Sequence, residues 1–236
     1  MYLDYLYLII VLPFVIFAVI AQIKVSTTFK KYSAMITSSG MTGHDSARMI
    51  LDKNGLYDVR IERVPGSLTD HYDPRDNVIR LSDDVYDART PAAVGVAAHE
   101  AGHALQYADN YVPMKIRGAI IPVTNFCSKW SMVLIFIGIV FLYVADFAFW
   151  VMLVGIIFFS TSTLFQLVTL PVEFNASRRA MGCLTQSGAL EKSELYAARK
   201  VLTAAAMTYV AALAVSLATL LRYVIILSSG NNKRRR

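Results

Sequence analysis

Long apolar stretches constrain this chain more than any other feature of its sequence. Residues 2–23, 130–170 and 204–227 hold most of the apolar side chains, whereas 24–120 has the mixed composition of a soluble protein. About 20 apolar residues in a helix cross roughly 30 Å of hydrocarbon. Hydrophobic residues make up 56% of the chain, above the roughly 45–50% of ordinary soluble domains. The sequence therefore predicts a chain that alternates between membrane and water.

The first apolar stretch is predicted to be an uncleaved membrane anchor, residues 1–23. No Lys or Arg precedes it, no small-residue cleavage site follows it, and Lys24, Lys30 and Lys31 come directly after it. A cleaved signal peptide shows the opposite arrangement. Because positive charges favour the cytoplasmic side of a membrane, we expect the N-terminus outside and the following segment in the cytoplasm.

The later apolar residues predict three further spans. The stretch 121–170 is too long for one crossing, and it predicts a hairpin of helices 121–144 and 147–170 with Asp146 at the turn. The last span is predicted at 204–227, followed by a basic tail, 228–236. A hairpin returns the chain to its starting side, so 171–203 is expected on the same side as 24–120.

The segment 24–120 predicts a small region of mixed helices and strands. Thr42 is a candidate N-cap of a short amphipathic helix, and strands are predicted at 57–64 and 77–82, separated by a loop rich in Gly, Pro and Asp. Thr90 and Pro91 then form an N-cap and N1 pair that opens the helix PAAVGVAAHEAGHALQYA. This helix is so apolar that we expect it to be buried.

The motif HEAGH on that helix is the strongest chemical signal in the chain. His99 and His103 are four residues apart, so one helix face presents both imidazoles to a single metal ion. Glu100 stands beside them, where a carboxylate can take the proton of a zinc-activated water that attacks a peptide carbonyl. The alternative is a helix with two ordinary core histidines. Burying these groups beside a carboxylate without a metal would be costly, so we favour the catalytic interpretation.

A catalytic zinc site needs a third protein ligand. No histidine follows His103 at H-x5-H spacing, which disfavours the metzincin arrangement, and His44 and His71 lie upstream. A downstream carboxylate is therefore the best candidate. Glu173 follows the hairpin at the start of a helix signalled by Pro171, in the predicted third-ligand region 171–203. The alternative is an interfacial glutamate stabilised by a helix dipole.

The two metal-binding segments carry a family resemblance. AAHEAGHALQ, followed after the hairpin by EFNASRRA, resembles the bacterial neutral zinc metallopeptidases of the YugP type over essentially the whole chain. It is more distantly similar to the HtpX-type membrane proteases and the CAAX prenyl proteases, whose third-ligand helix reads E-F-x-A-D. The resemblance implies Zn2+ as cofactor and Glu173 as the third ligand. Ser177 stands where those relatives carry an aspartate that supports a zinc histidine, so it can supply a hydrogen bond but no charge.

The fold class that follows is an α-helical membrane protein with a small α+β zincin-like (gluzincin) catalytic region and about four transmembrane helices. The strand NVIRLS resembles the edge strand with which zincin proteases pair an extended substrate. Arg178 and Arg179 are candidates to stabilise the oxyanion or to bind a peptide carboxylate, although a basic pair at a membrane boundary also sets topology. His71 is expected in a solvent-exposed loop. Cys127 and Cys183 are expected to be reduced.

The predicted function is a zinc-dependent membrane endopeptidase, and the alternative is a non-proteolytic membrane scaffold or chaperone-like partner with a retained zinc site. The net charge of +6 does not indicate nucleic acid, because the basic residues flank apolar spans rather than forming one face with aromatics. The expected partners are the lipid bilayer and a peptide or membrane-protein substrate; a homo-oligomer or a membrane-complex partner stays open. The charges in 24–120 and 171–203 favour a cytoplasmic active site at the plasma membrane, whereas the tail Lys233 to Arg236 disagrees with that topology.

Overall fold

The computed structural model of the protein describes residues 5–234. A π-helical turn, Tyr7–Val11, runs directly into the first α-helix. In chain order the elements are α1 (Leu12–Tyr32), α2 (Gly43–Lys53), β1 (Arg60–Val64), β2 (His71–Asp73), β3 (Val78–Ser82), α3 (Asp83–Tyr86), α4 (Pro91–Ala108), α5 (Val112–Phe141), α6 (Phe147–Ser187) and α7 (Lys192–Arg234). The end of the predicted basic tail, 235–236, lies outside the described residues.

Four helices in the described part of the chain are long and apolar enough to cross a membrane. They cover Tyr7–Tyr32, Val112–Phe141, Phe147–Ser187 and Lys192–Gly230. The protein is therefore an α-helical membrane protein with a small α+β region, as the sequence predicts. α5 begins well before the predicted span 121–144 and ends slightly short of it, α6 continues well past 170, and α7 begins well before 204. An apolar run marks only the lipid-level part of a helix. The backbone hydrogen bonds of a helix stay satisfied within it, so it continues through the membrane boundary without a break.

Pro171 does not begin a helix, contrary to the prediction from sequence. It lies inside α6, which runs without interruption from Phe147 to Ser187. An interior proline removes one hydrogen bond, the one to the carbonyl four residues earlier at Leu167. The remaining turns on both sides hold the helix together, and the loss is tolerated. Glu173 consequently lies in mid-helix and not at an N-terminus, so a helix dipole does not account for it.

The described residues form two compact units. One contains the chain up to Ile20, then Ile116–Thr169 and the part from Tyr209 onward. In this unit α5 and the first half of α6 form the predicted hairpin, with Asp146 in the connecting turn. A Cβ placed on Gly138 would lie 2.4 Å from the Cβ of Met152, which shows that these two helices cross at backbone contact. Glycine at that position allows the close approach.

The second unit contains Ala21–Lys115 and Leu170–Thr208. Its sheet has the order β1-β3-β2, with β1 parallel to β3 and β2 antiparallel to β3. The predicted strands correspond to β1 and β3, whereas β2 was not predicted because its three residues lie in a polar loop sequence. The prediction that β3 is an edge strand is wrong. β3 is the central strand, and its residues are mostly buried, so β2 and β1 provide the edges.

Two helices of this unit begin where threonine caps predict. Thr42 accepts a hydrogen bond from the Asp45 N–H and forms a reciprocal capping box at the start of α2. Thr90 accepts a hydrogen bond from the Ala93 N–H, and Pro91 occupies the first turn of α4. These side chains satisfy backbone donors that have no partner within the helix. Both helices pack into one hydrophobic core with β3 and with the ends of α6 and α7.

Candidate metal centre

Helix α4 carries both histidines of the HEAGH motif on one face. The rings of His99 and His103 meet edge to face with their centroids 4.7 Å apart, as expected for a spacing of four residues. Both lie in a buried helix whose other core positions are mainly alanine and glycine. The small side chains leave room for neighbouring helices to approach α4 closely.

Close packing on Gly102 brings α6 against the two histidines. A Cβ on Gly102 would lie 2.6 Å from the carbonyl oxygen of Ala176, so α4 and α6 touch through their backbones at this point. Ala176 lies three residues after Glu173, on a neighbouring part of the same helix face. The crossing therefore carries the carboxylate of Glu173 to the side of α4 where the imidazoles lie.

Three candidate ligand atoms converge at this crossing. The Glu173 Oε2 atom lies 3.3 Å from the His99 Nε2 atom and 3.6 Å from the His103 Nε2 atom, and ligand atoms of the three residues all lie within 4.8 Å of one another. Zinc binds such atoms at roughly 2.0–2.2 Å in tetrahedral geometry, which separates neighbouring ligand atoms by about 3.3–3.5 Å. Two imidazoles and one carboxylate are also a common donor set of catalytic zinc. The two separations from Glu173 and the donor set both fit zinc.

The charge balance of the cluster also suits a cation. Burial disfavours the charged imidazole of His103, but the close contact with the Glu173 carboxylate and the charges of Glu100 and Glu173 outweigh it and raise the pKa of His103 above its ordinary value. The site therefore attracts a positive charge, and a metal ion that binds there displaces a proton.

The other ring nitrogen of each histidine has a hydrogen-bond partner. The His99 Nδ1 atom lies 3.1 Å from the Ser177 Oγ atom, and the His103 Nδ1 atom lies 3.0 Å from the Gln106 Oε1 atom. Such contacts fix the ring orientation and the tautomer of a metal-binding histidine. The Ser177 hydroxyl can donate to His99 Nδ1 or accept from it, so this contact orients the His99 ring.

A chain of side chains determines which way the amide of Gln106 points. Arg179 can only donate, and its Nε–H bonds the Asn175 Oδ1 atom at 2.9 Å. That oxygen also accepts from the Gln106 amide nitrogen at 3.0 Å, which donates a second bond to the Val172 carbonyl at 2.7 Å. The Gln106 oxygen is thereby left to accept from His103 Nδ1–H. The Nε2 lone pair of His103 then faces Glu173, as metal binding requires.

Comparison with known proteins supplies the family. The sequence model described as "Putative neutral zinc metallopeptidase" matches residues 7–228. The chain belongs to this family. It is 49% identical over 213 residues to the "Putative membrane protease YugP" of Bacillus subtilis (strain 168), covering 90% of this chain and 92% of the relative. No solved structure matches the chain.

In this zinc metallopeptidase family member, Glu100 follows His99 on α4, and Asp70 lies close enough to Glu100 for their charges to interact. Glu100 is buried, with 8% of its surface exposed. Asp70 precedes β2 and accepts hydrogen bonds from the N–H and the hydroxyl of Ser82 at the end of β3. Burial raises the pKa of Asp70, the Ser82 hydrogen bonds oppose this, and the charge of Glu100 adds to the increase. Asp70 thus anchors the loop before the edge strand β2 within electrostatic range of Glu100.

Two of the weaker predictions take different places in the structure. His71 lies on β2, exposed, with its Nδ1 atom 2.8 Å from the Thr69 carbonyl, and it is not among the three clustered ligands. Arg179, a candidate to bind a peptide carboxylate, forms an ion pair with Asp109 and donates a hydrogen bond to Asn175. Both cysteines are free thiols.

The sequence reading missed Gln106 and Asn175. Gln106 follows His103 by three residues, which places it on the same helix face. A polar side chain in a helix predicted to be buried could have identified it as a partner of the histidine. Asn175 had no comparable signal, because its contact with Gln106 joins residues 69 positions apart. Helical spacing can therefore predict the position of Gln106 but not that of Asn175.

Proposed function

We propose that this family member is a membrane-embedded zinc endopeptidase in which His99, His103 and Glu173 bind the metal and Glu100 is the general base. The observation that carries the proposal is the convergence of the two Nε2 atoms on one carboxylate oxygen, at 3.3 and 3.6 Å. A purely structural zinc site has no need of the adjacent Glu100 and is usually closed by four protein ligands. Three donors leave a position for water and substrate.

Each residue of the site has a separate role in the proposed reaction. Zinc at this site supplies a Lewis acid that activates water and polarises the peptide carbonyl. Glu100 takes the proton of the attacking water and passes it to the leaving amine. Gln106 holds His103 in the tautomer that leaves Nε2 free for the metal, and Ser177 orients the His99 ring through its Nδ1 atom. The burial of these groups strengthens their electrostatic interactions with the substrate.

An extended substrate is expected to pair with β2. Within the described residues β2 forms strand pairs only with β3, so its outer edge offers main-chain donors and acceptors. Tyr72 of β2 packs against Tyr107 of α4, with ring centroids 6.2 Å apart, and Asp70 lies at the start of the strand near Glu100. β2 therefore runs along the active-site helix. Main-chain pairing of this kind gives affinity with little dependence on sequence.

The proposed active site faces the cytoplasm. His99, His103 and Glu173 need to lie on one side of the membrane, and the hairpin between α4 and the second half of α6 makes the number of intervening crossings even. Basic residues such as Lys30, Lys115 and Arg178 belong to the segments on that side, and such charges are retained in the cytoplasm.

Replacement of Glu100 tests the mechanism. The variant Glu100→Gln is expected to keep its zinc and to lose about 10²–10⁴-fold in cleavage rate, the usual contribution of a general base. The measurements are zinc content by atomic absorption and hydrolysis of a quenched fluorescent peptide library by the full-length protein in detergent. The control Glu191→Gln changes an exposed side chain and should leave both values unchanged. Unchanged cleavage in Glu100→Gln would refute the mechanism and favour the non-proteolytic scaffold.

Replacement of Glu173 tests the ligand set. The variant Glu173→Ala is expected to lose most of its zinc, because only two of the three proposed protein ligands remain. Zinc content after dialysis against a mild chelator measures this loss, with Glu191→Ala as the exposed control. Full retention of zinc in the purified Glu173 variant would remove this residue from the site.

A further inference from the structure

A pocket at the end of the edge strand β2 lies on the face of α4 that carries Glu100. Residues four and seven positions apart share one face of a helix, so Ala104 and Tyr107 follow Glu100 along that face. Both line the pocket, together with Tyr72 of β2 and Pro74 just after this strand. The volume of the pocket is about 260 Å³, which is enough for one large side chain.

The pocket lies one to two helical turns from the proposed general base. At 1.5 Å per residue, Ala104 is about 6 Å and Tyr107 about 10 Å beyond Glu100 along α4. Asp70 lies within electrostatic range of Glu100. Two residues later Tyr72 packs against Tyr107, so β2 runs in the same direction along α4. An extended peptide on β2 rises about 3.3 Å per residue, and a residue two or three positions from the cleaved bond therefore stands beside the pocket.

A carboxylate without a cationic partner belongs to the pocket lining. Asp58 is exposed, and its Oδ2 atom accepts a hydrogen bond of 2.9 Å from the amide of Asn77. The amide oxygen of Asn77 accepts in turn from the Tyr72 hydroxyl at 3.1 Å. Among residues 5–234, no basic side chain forms an ion pair with Asp58 and none lines the pocket. Neutral partners thus hold the carboxylate in place and leave its charge unbalanced.

The surroundings of Tyr72 indicate a negative potential in the pocket. Burial raises the pKa of Tyr72 to about 12, and the ionised form of Tyr107 and the charges of Asp58 and Asp73 add to the increase. The charged groups that act on this hydroxyl are therefore all acidic. A positive group that enters the pocket is attracted by them.

The rest of the lining suits a long side chain with a charged end. Leu56, Pro74 and Ala108 give apolar contacts, and Tyr107, with 54% of its surface exposed, offers an aromatic ring. Lysine and arginine combine an apolar stem with a charged head, and a cation over an aromatic ring is stabilised further. An uncharged apolar side chain would fill the same space and leave the charge of Asp58 unbalanced.

We propose that this pocket binds a lysine or arginine side chain of the peptide substrate, two or three residues from the cleaved bond. The stem packs on Tyr72 and Tyr107, and the charged head lies beside Asp58. The inference rests on the proposed peptidase function and adds a substrate class to it, peptides with a basic residue close to the cleaved bond. Asp58 and Tyr107 determine specificity and take no part in the reaction at the zinc centre.

Peptide binding to the full-length Glu100→Gln protein tests the proposal without requiring cleavage. Fluorescence anisotropy compares peptides with lysine, norleucine or glutamate two or three residues to either side of a central bond; norleucine keeps the stem of lysine and lacks its charge. An exposed ion pair contributes up to about fivefold in affinity and a cation–π contact about two- to fivefold. At one of these positions lysine is therefore expected to bind about tenfold more tightly than norleucine. Equal affinity of the two peptides at every position would overturn the proposal.

Variants of Asp58 in the same background locate the preference. Asp58→Asn keeps an acceptor for Asn77 and removes the charge, so the preference for lysine over norleucine is expected to fall about two- to fivefold. Asp58→Lys is expected to favour the glutamate peptide. The matched control Asp84→Asn removes one exposed charge outside the pocket and should keep the full preference. An equal loss in Asp58→Asn and Asp84→Asn would refute the assignment, because the attraction would then be general.

Cleavage by the unmodified protein separates this inference from the proposed function. Products of the lysine peptides are expected to show the cut two or three residues from the lysine. If the Asp58-dependent preference for lysine is found in binding but no peptide is cut, the proposed function is wrong and the assignment of the pocket stands. If peptides are cut without regard to lysine, the function stands and the assignment of the pocket is wrong.

Discussion

Substitution of Gly102 by alanine is expected to separate the zinc ligands. The added Cβ would lie 2.6 Å from the carbonyl oxygen of Ala176, 3.2 Å from its carbonyl carbon and 3.3 Å from its Cα. All three are backbone atoms, so no side chain can turn aside. Because real Cβ contacts are essentially never shorter than 3.0 Å, α6 has to move by at least 0.4 Å. Glu173, three residues away on the same helix, moves with it.

The shift is larger than a zinc site tolerates. Ligand distances of metal sites hold to within about 0.2 Å, and overpacking in a dense core costs about 1–3 kcal/mol. If the displaced ligands lose this much free energy of zinc binding, the zinc affinity falls by about 5- to 150-fold. Competition with a fluorescent chelator measures the affinity, and thermal unfolding of the metal-free protein measures any separate loss of stability.

Gly118→Ala is the matched control for this experiment. A Cβ on Gly118 meets no atom within 4 Å, and alanine in a helix is more stable than glycine by up to about 1 kcal/mol. The control should therefore bind zinc normally and unfold no earlier than the original protein. The reasoning is refuted if Gly102→Ala binds zinc as tightly as Gly118→Ala.

Two further predictions concern the partners of the histidines. Gln106→Ala leaves His103 Nδ1 without its acceptor in the core and is expected to weaken zinc binding about 10- to 100-fold in chelator competition; unchanged affinity would contradict the role assigned to this amide. Ser177→Asp places a carboxylate beside His99, as in the distant relatives, and is expected to strengthen zinc binding, whereas Ser177→Ala weakens it. An equal affinity of the aspartate and alanine variants would show that the Ser177 contact does not act on the metal site.

The parts of the site that sequence predicts are those set by local spacing. His99, Glu100 and His103 share one helix, so their geometry follows from helical periodicity alone. Glu173 is 70 residues beyond His103, and it was found through the need for a third ligand, the topology of the hairpin and a family resemblance. The position of β3 in the sheet was mistaken because a three-residue strand, β2, carries too little pattern to be recognised. Whether a strand lies at the edge or in the centre of a sheet can be predicted only when all strands of that sheet are identified.

The mistaken boundary at Pro171 has a physical consequence for the site. A helix that began there could adopt any rotation relative to the preceding span, and Glu173 would depend on a loop for its direction. In the continuous α6 the direction is fixed, because a slip of one residue would turn Glu173 by about 100° away from α4. The same register places Asn175 toward Gln106 and Ser177 toward His99. A single rotation of α6, held by the contact of Gly102 with Ala176, therefore sets one candidate ligand, the hydrogen-bond partner of His99 and, through Asn175, the orientation of the Gln106 amide.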